Sequence, residues 1–92
     1  MTNFFRITKC GDLFSVKSEK AEGGSLAKRI LVLQELGTKH ADSLAVSLLG
    51  GLAQLEFKEG DVVAASLRFQ TRDYNGQTLQ DITANDIVKL RG

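Results

Sequence analysis

The sequence predicts a small all-β protein, a barrel of about five strands. Two observations carry this. Val63, Ala65, Leu67, Phe69 and Thr71 fall on one parity, while Ala64, Ser66, Arg68, Gln70 and Arg72 fall on the other, which is the period of a half-buried strand. Asn75-Gly76 follows at once, the strongest short-range signal for a tight hairpin. A two-residue turn there sets Phe69 opposite Ile82, Leu67 opposite Ala84, Arg68 opposite Thr83, Gln70 opposite Asp81 and Arg72 opposite Leu79. Apolar residues meet apolar ones on one face and the other face is largely polar, so turn and pattern agree on one register.

The remaining elements follow in chain order. Residues 3–18 read as a long, bent strand. Phe5 and Ile7 lie on one parity, Phe14 and Val16 on the other, and Cys10-Gly11-Asp12 between them marks a bulge or sharp coil. Residues 17–25, with Gly23-Gly24, form a polar loop. Residues 26–36 hold Ile30-Leu31-Val32-Leu33, apolar on both parities. A strand buried on both sides is the preferred reading and a helix the alternative, since Leu, Gln, Glu and Lys favour one. Residues 37–42 are a second polar loop. Leu44, Val46 and Leu48 mark a third strand, ended by Gly50-Gly51. A short helical turn fits residues 52–57, and residues 58–61 form a turn. Strands at such short spacing, with no long helix, fit the open five-stranded OB barrel, with a short helical turn between the third and fourth strands.

Ninety-two residues, read as residues 1–92, make one domain with a thin core. Charged residues are 25% of the chain and hydrophobic ones 42%, a balance that suits a globular fold and excludes a disordered one. No apolar run approaches a membrane span, and the N-terminus lacks the order of a signal peptide. Cys10 is the single cysteine, so no internal disulfide is expected and a reducing cytoplasm is the natural setting. A net charge of +1 does not advertise a polyanion partner, so any nucleic-acid site must come from local segregation of charge.

Several residues of the last third also carry a resemblance. The run Gly60-Asp61-Val62-Val63-Ala64-Ala65-Ser66-Leu67-Arg68-Phe69-Gln70-Thr71-Arg72-Asp73-Tyr74 resembles the fourth strand of the bacterial single-stranded DNA-binding protein family. That family reads Lys-Gly, an alternating Val strand, then Leu-x-Thr-Arg and an aromatic. The similarity continues through Asn75-Gly76-Gln77 to Asp81-Ile82-Thr83-Ala84, and Val46 to Ala53 resembles the family's Val-Val-x-x-Gly-Lys-Leu-Ala. A shorter group of bacterial OB-fold proteins of unknown function is similar over residues 61–90. The resemblance covers residues 46–90 well and the rest loosely. It implies an OB fold, single-strand binding by stacking in a basic groove, and assembly into dimers or tetramers. It also implies aromatics at the positions of Ser43 and Leu49, which this chain lacks; Tyr74 is the matching aromatic. The family's acidic C-terminal tip is not matched by Lys89-Leu90-Arg91-Gly92, so recruitment of replication partners is not expected.

The candidate site residues are Arg68, Arg72 and Tyr74, which share the outward parity of the fourth strand, joined by Lys17, Lys28 and Arg29 around the first loop, with Lys20 beside them. Arginine can neutralise a phosphate and lie flat on a base. The bland reading of the same strand is a solvated face whose cross-strand partners are Asp81 and Thr83. Glu19 and Glu22 partly offset the basic loop, and Gly23-Gly24 belongs to no phosphate-binding Gly-rich motif. His40 and Cys10 offer neither a catalytic set nor a metal site, so no enzyme activity, metal or cofactor is expected. Phe5, Phe14 and Phe69 are assigned to the core, and Phe4 to a groove or an oligomer interface. The expected function is binding of single-stranded DNA, or RNA, with low sequence preference, by a homo-oligomer. The alternative is an OB barrel that binds protein.

Overall fold

The computed structural model describes residues 2–17, 22–37 and 43–91. Its strands are β1 (Thr2–Cys10), β2 (Phe14–Lys17), β3 (Ser25–Glu35), β4 (Ser43–Leu49), β5 (Val62–Tyr74) and β6 (Gln77–Arg91). Five of them close a ring. β3 pairs antiparallel with β1 and with β4; β4 meets β6 in parallel at Ser47 and Thr83; β6 pairs with β5, and β5 returns to β1. β2 adds to β3 alongside β1. This is the five-stranded OB barrel, with the first predicted strand divided in two.

The division has a local cause. The β1–β3 ladder slips between Ile7 and Lys9, and the chain leaves β1 at Gly11, whose N–H donates to the Ile30 carbonyl at 2.9 Å. A Cβ on Gly11 would sit 2.7 Å from that same oxygen, so only glycine fits. The bulge returns Cys10 to the inward side opposite Leu31, and the coil at 11–13 then reverses the parity again. Phe14 therefore lands on the outside, opposite Lys28, with 44% of its surface exposed. That corrects its assignment to the core.

Inside the ring lie Phe5, Ile7, Leu31, Leu33, Val46, Leu48, Val63, Ala65, Ala84 and Ile87. Full burial of a side chain such as Leu31 contributes roughly 1.5–3 kcal/mol, and these residues supply most of what a thin barrel can gather. One end is closed by a 3-10 turn, Gly50–Gln54, carrying the buried Ala53, and by Phe57. The expected helical turn is thus present, shifted toward the glycines. β3 is a strand, but it is not buried on both sides: Leu31 and Leu33 are fully buried, while Ile30 is exposed and Val32 half-buried.

The hairpin forms as its sequence dictates. Asn75 and Gly76 both take positive φ, 51° and 78°, as a type I′ turn requires. Residues 67–74 pair with residues 77–84 in the expected register, Phe69 opposite Ile82, before a bulge between Ser66 and Leu67 shifts it. The last β1–β5 pair is Thr2 with Ser66. Beyond it β5 pairs, among the described residues, with β6 alone; Leu67 and Ile82 still pack against the core, and the rest of the hairpin projects as an arm. Phe69, on the inward parity, is consequently 56% exposed, which corrects its assignment to the core as well.

Candidate nucleic-acid interface

The pairings put one residue from each of four strands into a single cross-strand row on the outside of the barrel. Ile30 of β3 faces Ser47 of β4, Ser47 faces Thr83 of β6, and Thr83 faces Arg68 of β5. Paired residues share a face, and neighbouring strands lie about 4.8 Å apart, so the row spans roughly 14 Å. A second row lies beside it: Phe14 of β2, Lys28 of β3 and Leu49 of β4. In the other direction Val32 pairs with Ala45 and, across β1, with Lys9. The result is an exposed sheet face with an aromatic ring, an apolar middle, and cations at Lys9, Lys28 and Arg68.

The positions where the resembled family carries aromatics fall on this same face. Ser43 pairs with Gln34 and Leu49 with Lys28, both outward. Phe14, two strands from Leu49 in the same row, puts a ring on this face. Neither Phe14 nor Lys9 was among the residues expected from sequence. Their placement depends on the Thr8 bulge and the coil after it, and no period in the sequence reveals how far each rotates the chain.

The expected site residues separate into groups. Lys28 and Arg68 lie on the face. Arg29, adjacent to Lys28 on a strand, points to the other side with Leu31 and Leu33, opposite buried Leu48. Its Nη1 donates to Cys10 Sγ at 3.9 Å, its Nε is buried without a partner, and Cys10 Sγ in turn donates to the Phe57 carbonyl at 3.4 Å. Arg29 is thus held at the closed end of the barrel. Lys17 ends β2 opposite Ser25, on the parity away from Phe14. Arg72 and Tyr74 continue the outward side of the arm beyond Arg68. Arg72 Nε donates to Asp81 Oδ2 at 2.7 Å, an ion pair about half exposed on both sides. Tyr74 stands 59% exposed at the tip, six residues and so about 20 Å from Arg68 along the strand. Lys20, Glu19 and His40 lie outside the described residues.

The turn after the 3-10 segment is anchored by Asp61. Its buried carboxylate accepts from the Lys58 N–H at 2.8 Å and pairs with Lys89 Nζ at 3.2 Å. The Lys58 N–H is the main reason its pKa lies below the ordinary carboxylate value; burial opposes the shift and the Lys89 ammonium assists it. Gly60 N–H donates to the Ile7 carbonyl and the Ile7 N–H to the Asp61 carbonyl, tying the turn to β1. Among the described residues no three His, Cys, Asp or Glu side chains gather into a metal site. No helix of those residues is long and apolar enough to cross a membrane.

The chain is similar in fold to the second OB-fold domain of replication protein A from Methanococcus maripaludis, solved in solution by NMR. The TM-score is 0.72 at 18% identity, over 97% of this chain and 81% of that one. At that identity the likeness establishes the barrel. No family model matches the chain, and no curated protein matches it. The fold and its exposed face together define an OB-fold protein.

Proposed function

We propose that this protein binds single-stranded nucleic acid, DNA in the first place and RNA in the second, as a binding module without catalytic chemistry. The observation that carries the reading is the coincidence of Phe14, Lys28, Ile30 and Arg68 on one exposed face of the barrel. A polyanionic strand needs cations spaced along it and flat apolar surfaces for unstacked bases. Lys9, Lys28 and Arg68 release counterions from phosphates, while Phe14 takes one base and Tyr74 another where the strand runs out along the arm. The likeness in fold to a domain of a replication protein fits this reading. Fluorescence anisotropy with labelled oligo-dT at two salt concentrations tests it. Affinity should fall with salt; absence of binding at low salt would make a protein-binding OB module the better account.

A separate observation supports self-assembly on the other side of the ring. Phe4, Ala64 and Val88 form a row across β1, β5 and β6, with Phe4 and Val88 more than half exposed. Beside Phe4 lies an open groove of about 370 Å³ that Leu36 also lines. A projecting ring beside a groove on one surface is an arrangement that would let two copies dock on each other about a two-fold axis. Phe4→Asp should shift the sedimentation coefficient to that of a monomer; a monomeric wild type at high micromolar concentration would end the idea.

A further inference from the structure

At the β1 edge of the candidate face the surface opens into a groove of about 360 Å³, lined by Lys9, Cys10, Gly11, Ile30, Val32 and Glu59. Ligand pockets run from about 300 to 1,000 Å³, so this one suits a single small group and not a length of polymer. It is continuous with the face, because Ile30 begins the row that ends at Arg68 and Val32 is the cross-strand partner of Lys9. Its apolar wall is Ile30 and Val32. At Gly11 the backbone itself forms the lining, since a Cβ there would collide with the Ile30 carbonyl.

The charged members of the groove are one cation and one carboxylate. Glu59 is exposed in the turn that the Asp61 carboxylate and Gly60 N–H hold against β1. Among the described residues, neither Lys9 nor Glu59 enters an ion pair. A carboxylate can only accept hydrogen bonds and an ammonium can only donate them. Of the nucleobases, guanine alone presents two adjacent donors, N1–H and the N2 amino group, next to a carbonyl acceptor, O6. Thymine and uracil would turn carbonyls toward the carboxylate, and adenine and cytosine a ring-nitrogen acceptor.

We propose that this groove is a nucleobase subsite selective for guanine. Glu59 accepts from N1–H and the N2 amino group, Lys9 donates to O6, and the base lies against Ile30 and Val32. The proposal rests on the single-strand reading above and adds one position of base preference to an otherwise unselective track.

The test compares three labelled oligonucleotides by anisotropy: oligo-dT, the same strand with one central dG, and the same strand with deoxyinosine at that place. Bidentate contacts to a base edge discriminate by roughly five- to 150-fold, and in a groove open to water the low end applies. The dG strand should therefore bind about five- to tenfold tighter than oligo-dT. Deoxyinosine, lacking the N2 amino group, should lose most of that gain. Glu59→Gln removes the paired acceptors and should bring the dG to dT ratio near one; a circular dichroism spectrum checks that the exposed turn tolerates the change. Tight binding of oligo-dT with no dG preference overturns the subsite and leaves the single-strand reading standing. A preference that survives Glu59→Gln overturns the assignment of Glu59. Failure to bind any of the three overturns both readings.

Discussion

Asp81→Asn should strengthen single-strand binding and steepen its salt dependence. Arg72 and Asp81 are diagonal neighbours on the outward side of the arm, since the register pairs Arg72 with Leu79 and Asp81 with Gln70. Their 2.7 Å ion pair is half exposed, so it adds at most about 1 kcal/mol to the hairpin, and the barrel does not depend on it. To an approaching phosphate, however, the pair is neutral. Arg6 lies farther along the face, opposite Gln34, and the cations next to the Ile30 row without an ion-pair partner among the described residues are Lys9, Lys28 and Arg68. Each phosphate neutralised on a single strand contributes about −0.7 to the log–log salt slope, so these three give about −2.1, or a loss of roughly 20-fold between about 50 and 200 mM salt. Releasing Arg72 should take the slope to about −2.8 and the loss to roughly 50-fold. Arg72→Ala alone should leave the slope near −2.1, about where the double variant Arg72→Ala/Asp81→Asn should also stand, whereas Arg68→Ala should reduce it to about −1.4. Oligo-dT anisotropy across that salt range measures all four. If Arg72→Ala flattens the slope as much as Arg68→Ala, or if Asp81→Asn leaves it unchanged, the ion pair does not silence Arg72 and the reasoning fails.

Three further outcomes are expected. Phe14→Leu keeps an apolar side chain but removes the ring, so oligo-dT affinity should drop by about 1–3 kcal/mol with the salt slope unchanged, because stacking releases no counterions; an altered slope in the same titration would place Phe14 off the stacking path. Gly11→Ala forces a Cβ against the Ile30 carbonyl, and urea denaturation should show a loss of about 1–3 kcal/mol, the usual scale for overpacking. Asp61 is more acidic folded than unfolded, so its stabilisation is complete above the ordinary carboxylate range of about pH 4 and is lost as pH falls through its lower folded value. Asp61→Asn should flatten the acid limb of stability against pH; thermal melts between about pH 2 and 6 that superimpose for the two proteins would dismiss it.

Local pattern carried a large part of this protein. The hairpin register from Leu67 to Tyr74 was legible because a type I′ turn fixes which residues face each other, and the period-two alternation of β5 independently gave the same pairs. Strand count, the inward sides of β1 and β4, and the closing helical turn were legible for the same reason: each depends on neighbours within a few residues. What the sequence could not decide is where the barrel stops. Phe69 obeys the inward parity of its strand, yet among the described residues the β1–β5 ladder reaches only to Ser66, and no local rule says how far that ladder covers β5. Nor could it place Phe14, whose side depends on two successive rotations at Thr8 and at residues 11–13. The candidate site is of the same kind. Arg68, Thr83, Ser47 and Ile30 are scattered along the chain and meet only because β4 and β6 close the ring in parallel. Lys28 and Arg29, adjacent in sequence, part because successive side chains of a strand point to opposite faces. Parity and turn chemistry are properties of a segment, whereas exposure and juxtaposition belong to the closed sheet, and only the tertiary structure supplies them.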